Sequence, residues 1–173
     1  MDPVERMKEG NRWYLAGGEE EKRRETAQNG QHPYAAVICC SDSRVIPEKI
    51  FDAGLGELFV IRVAGNVLDR HQMGSVEYAL EHLGCKLVLM LGHTGCGAVA
   101  AALSGHTEGF VSYIVDDILA AIGSERDPEK ACRLNVLHGV EQMKKEFADR
   151  PGMRGVEFLG AVYDICGGKV TWL

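Results

Sequence analysis

Short apolar runs alternate with longer amphipathic segments along the 173-residue chain. Four runs have the length and the Val, Ile, Leu and Phe content of buried strands, at residues 34–39, 57–63, 86–91 and 155–164. A fifth run at 169–173 follows two glycines, Gly167 and Gly168, a pair typical of a tight antiparallel turn. The pattern favours an α/β fold, with a mostly parallel central sheet, flanking helices and an antiparallel C-terminal edge strand.

Apolar residues at helical spacing predict the segments that connect these strands. The predicted helices cover residues 3–16, 47–51, 73–83, 98–103, 110–122 and 128–147. The order of strand 57–63, helix 73–83 and strand 86–91 predicts that the two strands pair in parallel through a crossover. The mixed charges of residues 19–25 indicate a solvated connection.

Composition narrows the class of protein. The chain is 46% hydrophobic and 25% charged with a formal net charge of -6, which is typical of one globular domain spanning residues 1–173. An acidic chain without a basic stripe is unsuited to nucleic acid. The chain shows neither an apolar segment of membrane-spanning length nor a signal peptide, so we expect no membrane association and a cytoplasmic location.

Six cysteines in a chain of this kind are expected to be reduced thiols. Four of them lie within or beside apolar patterns and are predicted to be core or near-core residues: Cys39, Cys85, Cys132 and Cys166. Cys40 and Cys96 differ, because each has polar or charged neighbours of the kind that a metal site needs.

These two cysteines belong to polar segments that follow predicted strands. The sequence CSDSR at 40–44 follows strand 34–39, and HTGC at 93–96 follows strand 86–91 after a break at Gly92. Sites in open α/β sheets form at such strand ends. Cys40, His93 and Cys96 supply the thiolate and imidazole ligands that zinc prefers, and three protein ligands leave a fourth position for water or substrate. The sequence therefore predicts a catalytic zinc site.

Asp42 and Arg44 extend this prediction. A guanidinium can hold a carboxylate ionised and oriented through paired hydrogen bonds, and an ionised carboxylate only accepts hydrogen bonds. Beside a zinc-bound hydroxide, Asp42 would accept the hydroxide proton and leave an oxygen lone pair facing the substrate. Two thiolates donate more charge to zinc than imidazoles do, so we expect activity to rise with pH through the neutral to alkaline range.

Nearly the whole chain resembles the β-class carbonic anhydrases. Seven ordered blocks over about 135 residues carry the resemblance: QHP at 31–33, CSDSR at 40–44, FVIR at 59–62, AGN at 64–66, GSVEYA at 74–79, GHTGCG at 92–97 and GAVYDI at 160–165. The resemblance implies reversible hydration of CO2 to bicarbonate and a proton. It implies one Zn2+ per chain on Cys40, His93 and Cys96, with Asp42 and Arg44 as the activating pair.

The resemblance also implies a substrate pocket and an assembly. Gln31 would donate a hydrogen bond to substrate or product, and the pocket residues would be Phe59, Ala64, Tyr78 and Gly97. Tyr78 would come from the second subunit of a homodimer or a dimer of dimers. Residues 1–30 would form a helical arm that packs on the partner subunit.

The family contains two further variations. In some members the aspartate that corresponds to Asp42 binds zinc as a fourth ligand, in a closed state. One subset carries a tryptophan, linked to an inhibitory bicarbonate pocket, at the position of Val37, so this chain resembles the non-allosteric members. Any of five other histidines could serve as a proton shuttle: His32, His71, His82, His106 and His138.

Two alternative functions remain open from the sequence. The first is a CS2 or COS hydrolase on the same scaffold, since the same nucleophile could attack those molecules. The second is a non-catalytic zinc or redox protein that uses the two thiols for binding or sensing. Asp42 and Arg44 count against the second, because a structural site gains little from an acceptor beside an open ligand position.

Overall fold

The computed structural model describes residues 2–105 and 108–173. Its strands are β1 (Ala35–Cys39), β2 (Leu58–Arg62), β3 (Leu87–His93), β4 (Glu157–Tyr163) and β5 (Val170–Trp172). They form one five-stranded sheet in the order β2-β1-β3-β4-β5. The first four strands are parallel and β5 is antiparallel to β4, which confirms the predicted α/β class with its antiparallel edge.

The helices are α1 (Pro3–Ala16), α2 (Glu20–Asn29), α3 (Pro47–Ile50), α4 (Arg70–Glu81), α5 (Gly97–Ser104), α6 (Val111–Ile122) and α7 (Pro128–Phe147). The predicted helices are confirmed to within a few residues. The prediction that 19–25 form a connection is wrong, because residues 20–25 belong to α2, but the segment is mostly exposed to solvent as expected. Glu, Lys and Arg are good helix formers, and the Arg24–Glu20 ion pair of 2.7 Å links successive turns of α2.

Two details of the sheet differ from the prediction. Strands β2 and β3 are parallel, but β1 lies between them and pairs with both. Strand β3 also continues through Gly92 to His93. A Cβ at Gly92 would lie 2.5 Å from Cγ2 of Val136, so this glycine allows α7 to approach the sheet closely instead of ending the strand.

Hydrophobic clusters cover both faces of the sheet. On one face, Ile38 and Met90 pack under α4 and α7. On the other, Val37 and Leu91 pack with Val45 from the loop after β1. A third cluster joins α5 and α6 to Cys40 and Cys96, so the carboxyl ends of β1 and β3 open onto a packed helical pair.

Helix α1 leaves its apolar residues uncovered by the described part of the chain. Met7 is 77% exposed, Trp13 71% and Leu15 58%. Asp2 caps the helix by accepting a hydrogen bond from the backbone N–H of Glu5, so the helix forms without packing on the sheet.

The burial of the cysteines differs from the prediction at one position. Cys39, Cys85 and Cys132 are buried as expected, whereas Cys166 is exposed. The turn between β4 and β5 explains the difference, because the backbone N–H of Cys166 donates to Asp164 at 3.0 Å and the side chain lies outside the core. Within residues 2–105 and 108–173, no helix has both the length and the apolar character needed to cross a membrane.

Candidate metal centre

The fold brings the three predicted ligands together at the carboxyl edge of the sheet. Cys40 directly follows β1, His93 is the last residue of β3, and Cys96 directly precedes α5. Because β1 and β3 are neighbours, with Cys39 opposite Leu91, their ends lie side by side. The ligand atoms of the three residues lie within 4.8 Å of one another, and all three side chains are buried.

The imidazole of His93 is oriented as a metal ligand. Its Nδ1 lies 2.9 Å from the carbonyl of Thr94, which fixes the tautomer that donates from Nδ1. The other nitrogen, Nε2, is buried and makes no hydrogen bond with the residues that the structure describes. A buried polar atom without a partner is costly, and a cation at this position would satisfy it. The sulfur, nitrogen and sulfur donor set suits zinc.

The two cysteine thiols shift each other's pKa in opposite directions. A hydrogen bond from the thiol of Cys96 lowers the pKa of Cys40. The same hydrogen bond, together with burial, raises the pKa of Cys96. Cys40 is also stabilised as a thiolate by two backbone N–H groups, from Gly65 at 3.3 Å and Asp42 at 3.4 Å. A divalent cation would favour the thiolate form of both residues.

Asp42 and Arg44 form the predicted bidentate ion pair beside this cluster. The Arg44 side chain donates to both carboxylate oxygens of Asp42, at 2.9 and 2.7 Å, and its backbone N–H adds a third hydrogen bond at 2.9 Å. These contacts hold the pKa of Asp42 far below its ordinary value. Oδ2 of Asp42 also lies 4.0 Å from Nε2 of His93, so the ionised carboxylate borders the cluster.

Sequence reasoning missed Arg62, which supports the same segment. Its guanidinium donates to the carbonyl of Asp42 at 2.7 Å and to that of Cys40 at 3.3 Å. Arg62 ends β2 directly opposite Cys39 in register. A charged residue at the end of a strand whose neighbour leads into CSDSR was the available signal.

Thr94 and Asp164 form a second unpredicted support. The Thr94 hydroxyl donates to Asp164 at 3.3 Å and accepts from the backbone N–H of Ile165 at 3.2 Å. The segment that carries His93 and Cys96 is therefore tied to the turn between β4 and β5. Thr94 and Asp164 are 70 positions apart in the sequence, so no local pattern could predict their contact.

The remaining predicted site residues divide into two groups. Ala64 and Gly97 adjoin the cluster in sequence, next to Gly65 and Cys96. Gln31 is exposed and precedes β1, at the opposite end of that strand from Cys40. Phe59 lies three residues before Arg62 on β2, which places it about 10 Å along the sheet from the site.

Tyr78 lies with Phe59 and not with the cluster of Cys40, His93 and Cys96. The two rings are 6.0 Å apart, and Tyr78 is 46% exposed. A single chain therefore does not bring Gln31, Phe59 or Tyr78 to the cluster. Of the five candidate shuttle histidines, three are exposed, namely His32, His71 and His82, and His138 is half-buried. His106 lies outside the described residues.

Comparison with known proteins places this site in a family. Residues 35–170 match the family model described as carbonic anhydrase. The carbonic anhydrase of Mycolicibacterium smegmatis is 36% identical over 182 aligned residues, spanning 95% of this chain and 88% of that protein.

Solved structures show the same likeness in three dimensions. The β-carbonic anhydrase of Aspergillus fumigatus superposes with a TM-score of 0.87 at 30% identity, covering 99% of this chain and 91% of that one. A tetrameric β-carbonic anhydrase from Sordaria macrospora gives a TM-score of 0.73 at 26% identity, covering 95% and 97% of the two chains. The matched segment contains all three clustered side chains, and the chain belongs to the β-carbonic anhydrase family.

Proposed function

We propose that this enzyme catalyses the reversible hydration of CO2 to bicarbonate and a proton, with one zinc ion per chain bound by Cys40, His93 and Cys96. One observation carries the proposal: the buried Nε2 of His93 has no hydrogen-bond partner among the described residues and lies within 4.8 Å of both cysteine sulfurs. Nitrogen and sulfur atoms in this arrangement suit a zinc ion.

Zinc bound there would supply a Lewis acid that lowers the pKa of water toward neutrality. Asp42 then directs the nucleophile. Its carboxylate is ionised and only accepts hydrogen bonds, so it would accept a hydrogen bond from the attacking hydroxide, which keeps its proton, and leave an oxygen lone pair facing CO2. Arg44 fixes the direction of the carboxylate through both oxygens.

The Asp42 carboxylate is also close enough to the cluster to become a metal ligand itself. Oδ2 is 4.0 Å from Nε2 of His93, so a small movement of the carboxylate would bring it among the metal ligands. We propose that this movement gives a closed, resting state in which Asp42 is the fourth ligand. The hydrogen bonds from Arg44 and the contact of Arg62 with the Asp42 carbonyl favour the open arrangement.

A second copy of the chain would complete the substrate pocket. The single chain leaves Gln31 and Tyr78 exposed and remote from the cluster, and α1 exposes Trp13 and Leu15. We propose a homodimer, or a dimer of dimers, in which residues 1–30 pack on the partner and the pocket is formed between subunits. The tetrameric relative from Sordaria macrospora supports such an assembly.

Stopped-flow measurement of CO2 hydration on zinc-loaded protein tests the function. We expect a rate well above that of buffer, lost in Asp42→Ala with zinc retained and lost in Cys96→Ala together with the metal. Protein with one zinc per chain and no rate above buffer would contradict the proposal. Parallel assays with CS2 and COS would show whether the pocket admits those molecules instead.

A further inference from the structure

Asn135 is a buried polar residue in the middle of α7. It lies on the helix face that packs on the sheet, between Cys132 and Val136, and is 5% exposed. A buried amide without a partner would be destabilising, and asparagine is not a strong helix former. Its Nδ2 donates to the carbonyl of Gly65 at 2.8 Å, which joins α7 to the turn beside the metal ligands.

Gly65 has a backbone conformation that depends on glycine. Its φ is +70° and its ψ is 8°, in the left-handed region. A Cβ at this position would lie 2.9 Å from Cδ1 of Ile118 and 3.0 Å from the Cβ of Ala98. In this conformation the backbone N–H of Gly65 donates to Sγ of Cys40 at 3.3 Å. Gly65 therefore makes both contacts through its backbone: its N–H donates to the Cys40 sulfur, and its carbonyl accepts from Asn135.

Of the two backbone donors to the Cys40 sulfur, Gly65 belongs to a separate segment of the fold. The other backbone donor, Asp42, belongs to the same loop as Cys40 and moves with it. Hydrogen bonds to a metal-bound sulfur orient it and withdraw charge from it, and loss of such outer contacts weakens metal binding.

We infer that Asn135 is a positioning residue for the metal site, which fixes the backbone conformation of Gly65 and so aims the Gly65 N–H at the sulfur of Cys40. The inference rests on the zinc site proposed above and adds a residue 70 positions away from Gly65 in sequence. Asn135 does not touch the ligands. Its role is to keep the Gly65 turn in the one conformation that reaches Cys40.

Two variants and one matched control test this role. Asn135→Asp keeps the shape but replaces the donor by an acceptor, and Asn135→Ser is small and cannot span the distance to Gly65. Val140→Ala weakens the same helix at a buried position in a different hydrophobic cluster from the one that contains Cys40 and Cys96. Zinc affinity is measured by competition with a chelator. The thiolate-to-metal charge-transfer band is measured on the cobalt-substituted proteins.

We expect both Asn135 variants to bind zinc about 10-fold or more weakly. Their cobalt band should shift to longer wavelength, because a sulfur that accepts fewer hydrogen bonds gives up electrons more readily. Val140→Ala should lose stability without either change. Unchanged affinity and an unmoved band in both Asn135 variants would overturn the inference, as would an equal shift in Val140→Ala.

The wild-type protein in the same assays separates this inference from the proposed function. Failure of the wild type to bind zinc would overturn both. Tight zinc binding without CO2 hydration would overturn the proposed reaction alone, because the Asn135 measurements report on the metal site and not on turnover.

Discussion

Oδ2 of Asp42 lies 2.7 Å from Nη2 of Arg44 and 4.0 Å from Nε2 of His93. One carboxylate oxygen thus stands between a guanidinium that holds it and a nitrogen that would bind the metal. Whether the carboxylate directs the nucleophile or takes its place depends on the strength of the Arg44 contact.

Replacement of Arg44 by lysine should therefore reduce turnover without removing zinc. A lysine offers a point charge and cannot bond both oxygens of Asp42 in one plane, so the carboxylate gains freedom to move toward the metal. We expect Arg44→Lys to lose about 10- to 100-fold in kcat, less than the roughly 100- to 10,000-fold worth of a general base, because Asp42 itself is retained. Stopped-flow kinetics and zinc content on the same sample measure both effects.

A double-mutant cycle shows whether Arg44 acts through Asp42. If it does, Arg44→Lys should cost little in a protein that already carries Asp42→Asn, because the group that it orients has lost its charge. Additive losses in the double variant would contradict this dependence. Asp116→Asn, an exposed aspartate on α6, is the matched control and should leave turnover unchanged.

Activity should rise with pH through the neutral to alkaline range. The pKa of Asp42 is held far below its ordinary value by Arg44, so Asp42 is already ionised at neutral pH and does not produce the rise. The water that becomes the nucleophile must lose a proton, and two thiolate ligands supply negative charge that opposes this loss. The pH profile of kcat/KM measures the effect, and a profile that falls with pH would contradict it.

The closed state makes a separate prediction about low pH. As pH falls, a hydroxide at the fourth ligand position would gain a proton and become neutral water, a weaker competitor for the metal, so Asp42 should bind zinc reversibly. Crystal structures of the zinc-loaded enzyme across this range provide the measurement. An unchanged Asp42–Arg44 pair from low to high pH would contradict the closed state.

Local sequence was sufficient to predict the strands, most of the helices and the clustering of the three side chains. Cys40, His93 and Cys96 each follow an apolar run, and the rule that parallel strands end at one edge brings them together. The apolar pattern missed helix α2 because apolar spacing is absent from it, and its charged residues favour helix by propensity alone. Only the helical arm implied by the family resemblance covered this segment.

Contacts between distant segments account for most of what was missed at the site. Arg62 and Asn135 act on the backbone of Cys40, Asp42 and Gly65, and these partners become neighbours only when the sheet and α7 are assembled. Asn135 did carry a weak signal, since it is a polar residue on the apolar stripe of α7. The pattern of α7 does not predict that the hydrogen-bond partner of Asn135 is Gly65.

The buried thiol of Cys39 should make the protein less stable at alkaline pH. Burial raises the pKa of Cys39 from 9.0 to about 12. The folded state therefore keeps a proton that the unfolded state releases above pH 9, and stability is retained below that pH and lost above it. The loss is about 1.4 kcal/mol for each pH unit between the two values.

A comparison with Cys39→Ala isolates this contribution. The variant should be less stable at pH 8, because it loses buried contacts, but the difference from wild type should shrink by about 1.4 kcal/mol at pH 10. Urea unfolding at the two pH values measures it. Cys166→Ala is the control at an exposed thiol, and a difference for Cys39→Ala that stays constant with pH would contradict the prediction.

Substitution of the exposed apolar residues of α1 should change the assembly and not the fold. Trp13 is 71% exposed and Leu15 58%, so replacing both with serine removes little packing within one chain. If these residues pack on a partner, Trp13→Ser with Leu15→Ser should lower the molar mass measured by light scattering. The far-ultraviolet circular dichroism of the core should be preserved.

The loss of assembly should also reduce turnover, because Gln31 and Tyr78 are remote from the metal ligands of their own chain and would reach a site only across the interface. Zinc content should stay near one per chain, since Cys40, His93 and Cys96 come from a single chain. Leu137→Ser, at a residue 45% exposed on α7, is the matched apolar control. An arm variant that becomes monomeric yet retains full turnover would show that one chain forms the whole pocket, and would contradict the shared site.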